Sequence, residues 1–229
     1  MKRKGSVLLF VCYGFCATLA LVYGLLVRQS LLATFVVFHV AVLLGIPLAH
    51  GWREGDIRRH WREAWTGLRG GTAGLAIGAA SGVLLGALAM GGLWLLIRAG
   101  IQPERVRAIL VHWGLTEQGK WLFAGYMIVV NSFLEELMWR GFVLQRLTDV
   151  LPRVQAMLLS SFFFALYHLI LGTVLFGWRW GLLATVLVFW TGLFWAWMKH
   201  RYPSVYPTWI SHLVADVGIM VALFLWILG

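Results

Sequence analysis

The feature that most constrains this chain is a succession of long apolar runs separated by short polar segments. Seven runs, at 7–27, 31–49, 72–97, 121–139, 154–176, 181–198 and 206–228, approach or exceed the roughly 20 residues that a helix needs to cross the hydrocarbon of a bilayer. The expected fold is therefore all-α, a polytopic transmembrane helix bundle of seven to eight spans with short interfacial helices. Composition agrees: 61% of residues are hydrophobic and 12% charged, against about 45–50% and about 25% in soluble domains. These proportions exclude a disordered chain, a coiled coil and an ordinary soluble enzyme. No long repeat or domain-sized linker interrupts the chain. The expectation is one membrane-embedded domain, 1–229, in which 1–120 supplies N-terminal spans and interfacial helices and 121–229 carries the chemistry.

Lys2, Arg3 and Lys4 precede the first run, as in a signal peptide. Its apolar stretch is longer than the roughly 7–15 residues of a signal h-region, so it reads as a retained anchor. The net charge of +10 sits in loops between apolar runs, where topology and anionic lipid account for it and nucleic acid is not an expected partner. With the N-terminus in the cytoplasm, thirteen Lys/Arg fall on the cytoplasmic side and six on the other, which predicts that orientation. In 52–69, Ile57, Trp61, Trp65 and Leu68 share one face among arginines, the pattern of a surface helix. In 103–114, Pro103 and Gly114 bracket a second short helix whose apolar face is Val106, Ile109, Leu110 and Trp113. Gly70, Gly74, Gly78, Gly82 and Gly86 form a small-residue ridge on the third span, expected to pack against another helix of the same chain. Cys12 and Cys16 lie within the first run and are read as packing or lipid-facing residues, not as a disulfide.

A few polar residues stand inside spans, where each ionisable group costs about 2.5–3.5 kcal/mol on insertion scales. Glu135 and Glu136 end the fourth run, followed by Arg140; His168 lies in the fifth; His212 and Asp216 lie early in the seventh. His39, alone in the second, reads as a packing histidine with its hydrogen bonds satisfied. Glu136 and Arg140 are i,i+4, so they share a helix face and can pair. Glu135 is turned about 100° away, onto the side of Asn131 and Ser132. His212 and Asp216 are also i,i+4. Three helices thus each bring a polar face into the bundle, and convergence on one wet cavity satisfies all three. One tension is depth. Glu135 and His212 lie one to two turns from the ends taken as cytoplasmic, whereas His168 is about 21 Å from Val154. Continuation of the fourth helix through Gly141 to Thr148 would let the three meet.

In order along the chain, Glu135-Glu136-Leu137-Met138-Trp139-Arg140 fits E-E-x-x-x-R, Phe164-Ala165-Leu166-Tyr167-His168 fits F-x-x-x-H, and His212-Leu213-Val214-Ala215-Asp216 fits H-x-x-x-(N/D). This set resembles the CPBP family of intramembrane proteases, which includes the type II CAAX prenyl endopeptidases and the bacteriocin-processing or abortive-infection proteins. The resemblance covers about 121–220. It implies a glutamate-type endopeptidase acting near the membrane surface. Glu135 would be the general base that activates a water, His168 would help hold that water, and His212 with Asp216 would face the oxyanion. Glu136, Arg140 and Phe164 match the motifs as supporting residues. Many family members carry Asn at the last position. Asp216 cannot donate when ionised, so either it is protonated or it orients His212. The implied partners are a membrane-associated peptide or protein substrate and the lipid bilayer, and no cofactor is expected. Substrate candidates are prenylated C-termini, leader peptides and C-terminal sorting tails. The expected location is the inner (cell) membrane of a bacterium or archaeon, with several passes. Two alternatives use the same residues: a zinc protease liganded by His168, His212 and Glu135 or Asp216, although no H-E-x-x-H is present, and a non-enzymatic transporter or assembly factor with a buried polar network.

Overall fold

The computed structural model describes residues 2–55 and 71–229, and among these every regular element is helical. Among the described residues, seven helices are long and apolar enough to cross a membrane, with mean hydropathies of 1.2 to 2.4. In chain order they are α1 (Val7–Val27), α2 (Leu31–Arg53), α3 (Gly71–Arg98), α5 (Lys120–Thr148), α6 (Arg153–Phe176), α7 (Trp178–Arg201) and α8 (Tyr206–Leu228). The short helix α4, Pro103–His112, lies between α3 and α5. The chain is an all-α integral membrane bundle.

The seven spans coincide with the seven apolar runs, with three differences at their ends. The fourth continues to Thr148, nine residues past Trp139, because Phe142, Val143, Leu144 and Leu147 keep an apolar face to bury. The sixth starts at Trp178. A single residue, Gly177 at φ +85°, joins it to α6, and a residue with a Cβ rarely adopts that conformation. The second runs on to Arg53 and so absorbs Trp52 and Arg53 from the start of the expected surface helix; the rest of that helix, Ile57 to Arg69, lies outside the described residues. Helix α4 forms where Pro103 and Gly114 predict it. Val106, Leu110 and Trp113 are buried against the bundle, so it is docked and not merely lying at the interface.

The core is centred on α5, which touches α2, α6, α7 and α8. Residues 134–144 are all buried, so this part of α5 has no face toward lipid. Helix α3 is the opposite case: its buried residues are Gly74, Gly78, Gly82 and Gly86, and these form the seam to α8. The approach is close. A Cβ on Gly82 would lie 2.6 Å from the Ser211 carbonyl oxygen, and one on Gly218 would lie 2.6 Å from the Gly86 Cα. In lipid, apolar side chains gain little from leaving their surroundings, so backbone approach along small residues replaces hydrophobic burial as the source of association. Gly74, Gly78, Gly82 and Gly86 of the ridge are used within the chain, as the pattern predicts; Gly70 lies outside the described residues.

Candidate active site

Glu135 and Glu136 close a short α-helical turn, Ser132–Glu136, set between two π-helical stretches of α5, Tyr126–Asn131 and Leu137–Val143. π turns re-aim side chains within an otherwise continuous helix and recur at functional sites. No proline marks either stretch. The connection before α8 and the first turn of that helix are sunk into the bundle, with Ser204, Val205 and Thr208 almost inaccessible. His212, under two turns into α8, therefore reaches the level of Glu135 near the middle of α5, which removes the tension in depth.

The two carboxylates have different partners. Glu136, 0% exposed, accepts from Arg140 Nη1 at 2.8 Å and from His212 Nδ1 at 3.1 Å, both through Oε1. Arg140 is 1% exposed and caged. Its guanidinium lies 4.2 Å from the centre of the Phe164 ring and 4.9 Å from that of Trp195, and Nη2 donates to the Gly192 carbonyl at 3.3 Å. The cation is thus held by a carboxylate, a carbonyl and two aromatic faces. Glu135, 3% exposed, accepts a hydrogen bond from the Tyr167 hydroxyl at 3.0 Å, and its Oε2 lies 3.5 Å from His212 Nε2.

The imidazole of His212 is stacked on Trp195 at 4.4 Å between centroids. Trp195 is itself fixed by its indole N–H, which donates to Ser211 Oγ at 2.9 Å; Ser211 in turn meets Ser81 of α3 at 2.9 Å. With Nδ1–H given to Glu136, Nε2 is the nitrogen left for a reacting group. It faces Glu135 Oε2 and, at 3.7 Å, Asp216 Oδ2. That distance is beyond a hydrogen bond, so the carboxylate that orients His212 is Glu136 and not Asp216. Asp216 Oδ2 is buried without a hydrogen-bond partner. His168 donates from Nδ1 to the Phe164 carbonyl at 2.9 Å and stacks on Tyr167 at 4.5 Å, which leaves its Nε2 as the available nitrogen.

The structure thus gathers Glu135, Glu136, Arg140, His212 and Asp216 into one contact network, with His168 and Phe164 on its aromatic wall. Residues 117–218 match the family model described as type II CAAX prenyl endopeptidase Rce1-like. The match covers 102 of the 229 residues (117 to 218). Comparison with curated proteins and with solved structures gives no match. The matched stretch spans α5 through most of α8 and holds all three motifs, so the likeness to type II CAAX prenyl endopeptidases falls on the residues gathered at the site. Among the described residues, no group of three or more His, Cys, Asp and Glu side chains is disposed to hold a metal ion.

Sequence reading missed Tyr167, Trp195 and Ser211, which all touch the network. Tyr167 sits at an unspecified position of the F-x-x-x-H motif. Trp195 was one tryptophan among fourteen, and Ser211 gave no signal beyond adjacency to His212. His39 and Asn131 are also tied to the site. His39 is 2% exposed and meets Tyr126 Oη at 2.8 Å through Nδ1 and Asn131 Oδ1 at 2.9 Å through Nε2. Its expected hydrogen bonds are satisfied, and they lead toward Asp216.

Proposed function

We propose that this protein is an intramembrane endopeptidase in which Glu135 is the general base for a hydrolytic water. The observation that supports this most strongly is the unequal bonding of two adjacent carboxylates. Glu136 is committed to Arg140 and His212, and an ion-paired carboxylate is a poor base. Glu135 accepts one neutral donor and has an oxygen facing the imidazole. In this reading Glu135 takes a proton from a water held with the help of His168 Nε2. The resulting oxygen forms a bond to the carbonyl carbon of a peptide. The oxyanion is met by the Nε2–H of His212 as imidazolium and by Asp216 in its acid form. Glu135 then delivers the proton to the leaving nitrogen as the C–N bond breaks. Preorganised donors of this kind contribute about 2.7–4 kcal/mol each in acyl transfer.

The substrate class is a membrane-associated peptide or protein, and the family description makes a prenylated C-terminus the first to try. Purified protein in lipid vesicles is offered an S-farnesylated peptide ending in C-a-a-X, while membranes made with and without the protein are compared for new peptide termini. Cleavage by the wild type is expected, reduced about 10²–10⁴-fold in Glu135→Gln, the usual cost of losing a general base. A well-folded Glu135→Gln that cleaves at the wild-type rate overturns the assignment. So does stoichiometric zinc whose removal abolishes cleavage and whose return restores it.

A further inference from the structure

A buried polar chain that begins at His39 reaches toward the candidate site from outside the stretch that matches the family model. His39 lies on α2, in a π-helical stretch, Phe35–Leu44, ahead of Pro47. A proline at 47 has no N–H to give to the carbonyl four residues earlier, so the helix cannot keep regular α bonding there. Gly45 N–H reaches back to the Val40 carbonyl instead. This widened turn presents His39 to α5, where Phe35 and Phe38 pack against its ring.

The chemistry of the partners fixes the direction of the chain. Asn131 Oδ1 can only accept, so His39 Nε2 carries the proton of that bond. Nδ1 of the neutral ring then accepts from the Tyr126 hydroxyl. With Oδ1 turned to His39, the amide nitrogen of Asn131 is the group left to face Asp216, on the part of α8 that packs against this stretch of α5. The reverse amide orientation would set two acceptors, Asn131 Oδ1 and a carboxylate oxygen, against each other. The amide donates, so the Asp216 oxygen that it meets must be an acceptor. Any proton on Asp216 belongs on the other oxygen. Oδ2 has no hydrogen-bond partner and lies 3.7 Å from His212 Nε2.

We infer that His39 is a positioning residue of the catalytic centre, which acts through Asn131 to fix the Asp216 carboxyl and direct its Oδ2 at the reacting group. This rests on the proteolytic reading of the site. It also gives Asp216 a way to present a donor where the family pattern often has an asparagine amide: as the acid, with its hydroxyl on Oδ2.

His39→Leu removes the donor, whereas His39→Gln retains an N–H at the Nε2 position and an acceptor for Tyr126. Kinetics on the farnesylated peptide are expected to show a kcat lower by about ten- to a hundredfold in His39→Leu, the range for partners that orient a reacting group through an intermediary. KM is expected to be unchanged, and kcat largely restored in His39→Gln. In an Asp216→Ala background, His39→Leu should cost nothing further, because the two changes act on one path. A merely structural role would lower both backgrounds equally and would overturn the inference. The second readout needs no substrate. Imidazole nitrogen resonances of His212, in protein labelled at histidine and held in detergent micelles, should shift in His39→Leu. They should not shift in His39→Gln, and His39→Leu should add no shift once Asp216 is alanine. Should His39→Leu fail to fold, Asn131→Ala interrupts the same path and is read in the same way. Unmoved His212 signals in a folded His39→Leu or Asn131→Ala protein overturn the inference. A wild-type protein that cleaves nothing but shows the coupled shifts refutes the proteolytic reading alone.

Discussion

Glu135 and Glu136 are neighbours in sequence, but substitution should affect them through different physics. Glu136 is buried with Arg140 at 2.8 Å and His212 at 3.1 Å. Removing one member of a buried ion pair leaves the other charge uncompensated, at about 3–5 kcal/mol. Glu136→Gln and Arg140→Ala should therefore resemble each other, with a large fall in thermal stability and loss of activity following from it. Glu135→Gln removes no partner of the arginine and only a longer contact to His212, at 3.5 Å, so it should lose activity at nearly wild-type stability. The measurement is cleavage rate per folded protein with a melting curve for each variant; a stable, inactive Glu136→Gln would place the base on the wrong glutamate. Asp216 separates two other possibilities. If its role is to present a hydrogen-bond donor from the Oδ2 position, Asp216→Asn supplies an amide N–H there and should keep activity within about tenfold, whereas Asp216→Ala should lose about 10²-fold or more. Equal and complete loss in both would show that the negative charge itself is needed.

The element that carries His212 is held in place by glycine. Gly78, Gly82 and Gly86 of α3 lie against Pro207, Ser211, Val214 and Gly218 of α8, and the nearest atoms at Gly78 and Gly82 include backbone oxygens that no side-chain rotation can move. Gly82→Leu should push α8 outward, take Ser211 away from Trp195 and Ser81, and loosen the stacked imidazole one residue later. Gly91 faces open space on the same helix, so Gly91→Leu is the matched control. Activity of Gly82→Leu is expected to fall at least tenfold beside an unaffected Gly91→Leu, since about 1 Å of misplacement can cost 10²-fold. Equal activity in the two would mean that α3 does not position the site. This seam was legible in the sequence, because a four-residue glycine period points to one helix face. The spans were legible for a similar reason: lipid demands long apolar runs. The π turns of α5 were not, since no residue type specifies them here. Nor was the start of α7, where Trp178, Arg179 and Trp180 have the composition of an interface although Gly177 already begins the next helix. The link from His39 to Asn131 spans 92 positions, and helical spacing carries no information about which of several spans will be neighbours.

At the scale of the whole molecule, the seven candidate spans among the described residues are an odd number, which predicts termini on opposite sides of the membrane. The Lys/Arg bias that predicts the orientation survives a correction from the structure. Arg140 was counted with the cytoplasmic loops, but it is enclosed in the bundle at 1% exposure, so the balance becomes twelve (thirteen less one) to six. The loop between Arg98 and Lys120, which weakens the bias, folds as α4 and docks through Val106, Leu110 and Trp113. Its bases are partly countered on the spot: Glu117 takes Arg107 at 2.7 Å and Lys120 at 2.8 Å. The positive-inside rule counts bases in short loops near the membrane regardless of such pairs, so the larger cluster still decides. A reporter active only in the cytoplasm should therefore be silent when fused after Gly229 and active when inserted between α2 and α3. The reverse pair of results would invert the bundle and open the Glu135 site to the opposite compartment. Activity at both positions would require an even number of crossings, and the segment from Arg98 to Thr148, which holds α4 and the long central helix, would then be the part to re-trace.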